Sequence, residues 1–161
     1  MTKIKSYDRN GQEYEFEESE YIYRKSVYGL YIKDDSVLMI MDDRSGKWEL
    51  PGGGVEEGES DLQNLQREML EETGLEMPDQ EINLLDSEIS YYYALLKKSP
   101  MKTDRFYYLV KELREDDKIL ENGNNDDVAA AKYVPISDLE NTNIAKKDLE
   151  VINNYLSSNK N

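Results

Sequence analysis

At 161 residues the chain has the length of one ordinary domain, and an apolar content of 38% suffices for a core at that size. A net charge of −15 opposes association with polymeric nucleic acid or anionic lipid, because both present dense negative charge. Cysteine and histidine are absent, which excludes disulfides, thiolate chemistry, histidine bases and histidine-bound zinc. Acid–base work then falls to carboxylates, lysine or tyrosine, and any metal site must use oxygen ligands suited to Mg²⁺, Mn²⁺ or Ca²⁺.

The N-terminus lacks the apolar stretch of a signal peptide, and no run approaches membrane-spanning length, so a cytoplasmic protein is expected. Residues 3–17 read as a hairpin around Asn10-Gly11, a pair suited to a type I′ turn in which both residues take φ > 0. A strand is predicted over 21–33, a turn at Asp34-Asp35 and a largely buried strand over Val37–Met41. A polar loop follows to Lys47, then a short strand at Trp48–Leu50. Pro51-Gly52-Gly53-Gly54 should interrupt regular structure.

A helix is predicted from Ser60 to Thr73. Ser60 and Gln63 have the spacing of a capping box, and Gly74 is placed to terminate the last turn. Two more strands are expected near Ile82–Leu96 and Arg105–Leu113, with the bend around Pro100. Residues 114–127 read as a polar loop, Ala129–Val134 as a last strand, and residues 143–157 as a C-terminal helix with Leu149, Ile152 and Leu156 on one stripe. Neither an internal repeat nor a linker is evident. Mixed strands with two helices imply an α/β architecture in one domain.

The chemistry concentrates between Gly53 and Leu75. On a helical wheel Leu62, Leu65 and Met69 fall within about 60° and form the apolar stripe. Glu68, Glu71 and Glu72 cover about 100° of the adjoining face. Like charges at these spacings repel, and the C-terminal end of a helix disfavours anions. Local stability therefore argues against the arrangement, as is common at functional sites. A divalent cation would relieve the repulsion. Gly52-Gly53 also permits backbone conformations that a side chain forbids.

The stretch GGVEEGESDLQNLQREMLEETGL resembles the box that defines the Nudix family, G-x5-E-x7-R-E-U-x-E-E-x-G-U with U a bulky aliphatic. Gly53, Glu59, Arg67, Glu68, Glu71, Glu72 and Gly74 occupy its fixed positions, and Met69 and Leu75 its aliphatic ones. Trp48-Glu49-Leu50-Pro51 is similar to the strand that enters the box. Tyr133–Leu139 is similar to the family's W-x-P-x-x-E-L segment, with tyrosine in the tryptophan position.

The resemblance implies an α/β/α sandwich around a mixed central sheet, here with an N-terminal β-hairpin extension over residues 1–24. It implies hydrolysis of a pyrophosphate bond in a nucleoside diphosphate joined to another group, such as a nucleoside triphosphate or a nucleotide sugar. Glu68, Glu71 and Glu72 would bind Mg²⁺, or Mn²⁺ in its place, helped by the carbonyl of Gly52. Glu59 and Arg67 would pair and fix the loop against the helix, a role suited to a bidentate arginine. Glu68 is one candidate general base; Glu121, Asp126 and Asp127 are candidates from outside the box. Arg44 and Arg105 are candidates for phosphate charge, Trp48 and Tyr107 for stacking a base. The expected partner is a small nucleotide, with neither polymeric nucleic acid nor membrane. The N-terminal extension has three open roles: covering a sheet edge, forming a homodimer contact or contributing to the pocket. The alternative function is a module that senses a nucleotide without turning it over.

Overall fold

A computed structural model describes residues 2–114, 119 and 128–159. Glu121, Asp126 and Asp127 lie outside the described residues. The chain forms strands β1 (Lys3–Tyr7), β2 (Glu13–Glu17), β3 (Ile22–Leu30), β4 (Ile32–Lys33), β5 (Ser36–Asp42), β6 (Trp48–Glu49) and β7 (Gly52–Gly54). Helix α1 (Asp61–Thr73) follows, then β8 (Asn83–Ala94), β9 (Ser99–Leu109), β10 (Val128–Pro135) and helix α2 (Lys146–Ser158). A six-stranded mixed sheet has the order β2-β1-β8-β9-β3-β7, and a second sheet runs β10-β5-β4 with β6 paired to β5. The architecture is mixed α/β with a mixed central sheet, as the resemblance implied. No helix among the described residues is long and apolar enough to cross a membrane.

Helix α1 starts and stops where its sequence signals lie. The Ser60 hydroxyl accepts from the Gln63 amide at 3.1 Å, and the Gln63 side chain accepts from the Ser60 amide at 2.9 Å. Gly74 ends the helix in the left-handed region at φ 77, a conformation that costs glycine little. Leu65 and Met69 bury their side chains against Val27, Leu38, Leu75, Met77 and Val110. A second cluster, with Leu30, Met39, Leu50 and Tyr107, is closed by Val151 and Ile152 of α2.

Three local expectations are corrected. In the first hairpin only Gly11 has a positive φ, 84; Asn10 does not. The Asp8 carboxylate accepts from the Asn10 and Gln12 amides at 2.8 and 3.0 Å, bracing a longer loop in place of a two-residue turn. The turn with two positive φ values is Asp34-Asp35, at 49 and 56, closed by the Lys33 and Ser36 pair of β4 and β5. Gly52–Gly54 does not interrupt regular structure but pairs with Ser26–Tyr28 of β3. A methyl on Gly52, at φ 151, would lie 2.1 Å from the Val27 carbonyl oxygen, so this close pairing requires glycine. Pro100 is a strand residue opposite Tyr93, and the bend falls earlier, where Lys98 has φ 50. It sits at the start of β9, just before that strand pairs with β3 at Met101, where proline's missing donor is tolerated.

The boundaries of the remaining elements shift by a few residues. The predicted strand over 21–33 divides at Tyr31 into β3 and β4. The second strand after the box begins at Ser99 rather than Arg105. Helix α2 starts at Lys146 because Ile144 bridges to Trp48 instead of joining the helix.

Candidate active site

A cleft of about 750 Å³ opens on the face of the six-stranded sheet, within the size range of small-molecule sites. Its floor is β7, and α1 supplies its acidic side. Glu68 and Glu72 are 8% and 4% exposed and line it, one helical turn apart. Glu72 accepts from the Gly52 amide at 2.8 Å. The missing side chain at Gly53 makes room for Glu68, since a methyl there would lie 2.6 Å from Glu68 Oε1.

These carboxylates are poorly placed as anions. Burial pushes Glu72 up to about 9, aided by the charges of Glu68 and Glu49 and opposed by the Gly52 amide. Burial also raises Glu68, against the pull of Arg67. Glu49, three residues before Gly52, rises to about 7 through burial and the charges of Asp148 and Asp42. Three acidic groups in one cleft thus hold protons more tightly than in water, because burial strips their anions of solvent and neighbouring carboxylates add repulsion. A buried donor set made only of oxygen atoms fits a hard divalent cation. The carboxylates of Glu68, Glu72 and Glu49 and the backbone at Gly52 are the donors at hand.

Glu71 behaves differently. It is exposed on the flank of α1, 3.3 Å from Arg67 Nη1, and is absent from the cleft wall. Among the described residues no three acidic side chains are clustered closely enough to hold an ion by themselves. Of the three helix carboxylates, two converge and the third is held aside.

Arg67 is the brace. Its Nε and Nη2 donate to the two oxygens of Glu59 at 2.8 and 3.1 Å, its Nη2 to the Gly54 carbonyl at 3.1 Å, and its Nη1 to Glu68 at 3.0 Å. These bonds hold Glu59 down at about 2 and raise Arg67 further. Buried Asn64 adds bonds to Gly54 and Glu59 at 2.9 and 3.1 Å. The loop between β7 and α1 is thereby tied to both.

The same cleft also carries positive charge, from Arg9, Arg24, Arg44, Lys97 and Arg105. The chain has six arginines, at 9, 24, 44, 67, 105 and 114. Arg9, Arg24, Arg44 and Arg105 all line this cleft. Arg24 lies over Gly54, where a methyl would come within 2.5 Å of its guanidinium. Arg105 Nε is buried with no hydrogen-bond partner. Four of the six arginines thus line a cleft that also holds Asp8, Asp42, Glu49, Glu68 and Glu72, and Arg24 and Arg105 sit by the glycine strand, so positive charge for an anionic ligand stands near the carboxylates.

Arg44 and Arg105 therefore stand on the wall, whereas Trp48 and Tyr107 do not. Trp48 lies under Lys132, whose ammonium is 4.2 Å from the ring centroid, and its backbone joins Asn143 and Ala145. Tyr107 is 0% exposed and stacks beneath Tyr28 at 5.3 Å. Its hydroxyl donates to Asp148 at 3.4 Å. Tyr28 is the member of that pair that faces the cleft. The sequence reading missed Glu49, Arg9 and Arg24 as cleft residues. The position of Glu49, three residues before Gly52, was the available signal; Arg9 and Arg24 carried none.

Asp148 also went unforeseen. It is buried on α2 and accepts from the Leu50 amide at 2.7 Å, fixing the strand that leads into the glycine run. Burial raises it to about 6 in spite of that bond.

A model of the NUDIX domain matches residues 22–155. Proteins carrying the name 8-oxo-dGTP diphosphatase 2, from two strains of Mycobacterium tuberculosis, share 42% identity with the chain over 57 residues. That stretch covers 33% of this chain and 40% of theirs, so the chain matches less than half the length of these relatives. Among solved structures, the MutT protein from Bacillus halodurans superposes with a TM-score of 0.67 at 21% identity, covering 85% of this chain and 84% of that one. The MutT protein from Methanosarcina mazei gives 0.66 at 21%, covering 88% and 99%. The NUDIX domain of Shewanella oneidensis NrtR, complexed with ADP ribose, gives 0.64 at 19%, covering 87% and 89%. At such identities the superpositions establish a shared fold.

Proposed function

The chain belongs to the Nudix family, and from that premise we propose that it is a cytoplasmic pyrophosphohydrolase acting on a nucleoside diphosphate joined to a further group. The observation that carries the proposal is that one cleft holds buried Glu68 and Glu72 together with Arg24, which lies over Gly54, and Arg105, which pairs with Ser26 beside it. Such a cleft suits a ligand that is both anionic and able to share a cation with carboxylates. The name of the Mycobacterium relatives is consistent with a nucleoside triphosphate, and the ADP ribose on the NrtR domain with a nucleotide sugar.

Glu68 and Glu72, with the Gly52 carbonyl, would hold Mg²⁺ or Mn²⁺; Glu71 would join them by exchanging its contact with Arg67. A divalent ion there supplies neutralisation of phosphate charge and acidifies water. The chain's own residues do the rest. Arg105 and Arg24 meet phosphate oxygens and orient the anhydride against the glycine floor, where reaction gains most from correct placement. Arg67 and Glu59 hold the loop so that Gly52 and Gly53 keep their distance from α1. A carboxylate must accept the proton of the attacking water. Glu68 is one candidate, and Glu49, which lines the same cleft, is another.

The direct test is turnover of a panel of nucleoside triphosphates and nucleoside diphosphate sugars with Mg²⁺, reading released monophosphate or pyrophosphate. Turnover of at least one member, lost in Glu72→Gln, supports the reading. Tight nucleotide binding with no turnover in the wild type would replace it with nucleotide sensing.

A further inference from the structure

The NUDIX model begins at residue 22, so the N-terminal hairpin lies outside the matched span. Yet the hairpin is built into the central sheet and reaches the cleft. Strand β1 runs parallel to β8, with Tyr7 opposite Tyr92. Its loop continues to Asp8 and Arg9, and all three residues line the cleft. Across the same opening stand Tyr92 and the β8–β9 turn with Leu96 and Lys97.

Register shows which way these side chains face. Tyr92 pairs with Met101 and Glu88 with Arg105 across β8 and β9, while Arg105 pairs with Ser26 and Tyr107 with Tyr28 across β9 and β3. Residues directly opposite share a face, and alternate residues along a strand share it too. Tyr7, Tyr92, Arg105 and Tyr28 therefore rise from one side of the sheet. Along that side the cleft passes from the carboxylates of α1, past Arg105, to an aromatic end with one cation on each flank, Arg9 and Lys97.

The far end is shaped for contact and largely uncovered. Tyr7 is 49% exposed and Leu96 80% exposed, both unusual for large apolar side chains. The Tyr7 hydroxyl is held by Glu13 at 2.8 Å, which orients its ring without covering it. The Asp8 carboxylate is occupied with the loop amides and the Tyr14 hydroxyl, so it braces the tip. Tyr14 stacks on Tyr93 with centroids 4.1 Å apart, which locks the hairpin to β8. A planar group with nearby phosphate is what exposed aromatic rings between two cations accept best.

We propose that the N-terminal hairpin is a substrate-specificity element, in which Tyr7 with Tyr92 stacks the nucleobase and Arg9 meets phosphate or sugar oxygens remote from the cleaved anhydride. This rests on the proposed reading of the cleft as a nucleotide site. It assigns the hairpin to the pocket rather than to edge protection alone or to a dimer contact.

The test compares wild type with Tyr7→Leu, Tyr7→Phe and Arg9→Gln on the best nucleotide of the panel, with inorganic pyrophosphate as a base-free competitor. Stacking on an aromatic side chain is worth about five- to a hundredfold in binding. Tyr7→Leu should raise KM about tenfold with kcat within about threefold, and Tyr7→Phe should restore KM. Arg9→Gln should raise KM by a smaller factor. The inhibition constant of pyrophosphate, which would be met at the other end of the cleft by Arg24 and Arg105, should stay within about twofold in all three. Unchanged KM in Tyr7→Leu overturns the proposal, as does an equal fall in nucleotide turnover and pyrophosphate binding, which would mark a structural role. Circular dichroism and melting temperature establish that each variant is folded. If the wild type turns over no nucleotide, the reading of the function fails separately. Calorimetric binding of ADP then tests the hairpin: weaker binding by Tyr7→Leu supports it, and equal binding refutes it.

Discussion

Replacing Glu72 by glutamine should make the metal-free protein more stable while removing its activity. Glu72 is nearly fully buried and rises from 4.5 to about 9, because burial and the charges of Glu68 and Glu49 oppose its ionisation. Between those two values the folded chain binds a proton that the unfolded chain has released, so stability falls as pH rises through the window. At pH 7 the distance from the unfolded value corresponds to roughly 3 kcal/mol, at about 1.4 kcal/mol per pH unit. Glu68 competes for the same proton, so this is an upper bound. Glutamine keeps the shape and an Oε1 to accept the Gly52 amide, now 2.8 Å from Glu72. A gain of roughly 1–3 kcal/mol follows, or about 2–10 °C in melting temperature for a chain of this length. Calorimetric melts in EDTA at pH 4.5 and pH 8 would read it, with the gain present at pH 8 and absent at pH 4.5. With Mg²⁺, kcat should fall at least about a thousandfold, and the stabilisation that Mg²⁺ confers on the wild type should shrink. A variant that melts below the wild type at both pH values would refute the electrostatic reasoning. Near-full turnover would refute the assignment of Glu72.

Gly52→Ala should cost about 3 kcal/mol or more, read from the urea midpoint, because its methyl meets a backbone oxygen that cannot move aside and its φ of 151 is strained for any side chain. Arg67→Lys should lower stability by about 2–4 kcal/mol, since an ammonium cannot span both Glu59 oxygens, the Gly54 carbonyl and Glu68 at once. Steady-state assays should show kcat reduced about ten- to a hundredfold in the same variant. Asp148→Ala should destabilise by about 1–3 kcal/mol by leaving the Leu50 amide buried without an acceptor. Faster hydrogen exchange at that amide would locate the effect.

The box helix was legible because its determinants are local. Ser60, Gln63 and Gly74 act on backbone groups within a few residues, and the 3.6-residue repeat alone puts Leu65 and Met69 on one side. The pairing of Glu59 with Arg67 spans eight residues and was readable from the motif. The turns were harder. Asn10-Gly11 had the better turn chemistry, but the buried carboxylate of Asp8 overrode it, while Asp34-Asp35 took the tight turn between two paired strands. Tyr107 shares a sheet face with Arg105 and Tyr28 but lies beneath Tyr28 against Asp148, and Trp48 lies under Lys132; such cover is not visible in the alternation along a strand.

By itself, then, the sequence determined the family, the capped helix and the spacing of its carboxylates, since each is set by neighbours along the chain. Only the tertiary structure decided that Glu68 and Glu72 enter the cleft while Glu71 turns out to Arg67. It alone brought Arg9, Arg24, Arg44 and Arg105 into one cleft and carried Asp148 to an amide 98 residues away. Those placements depend on strand order and register, which are cooperative properties of the packed sheets and leave no periodic mark in any single segment.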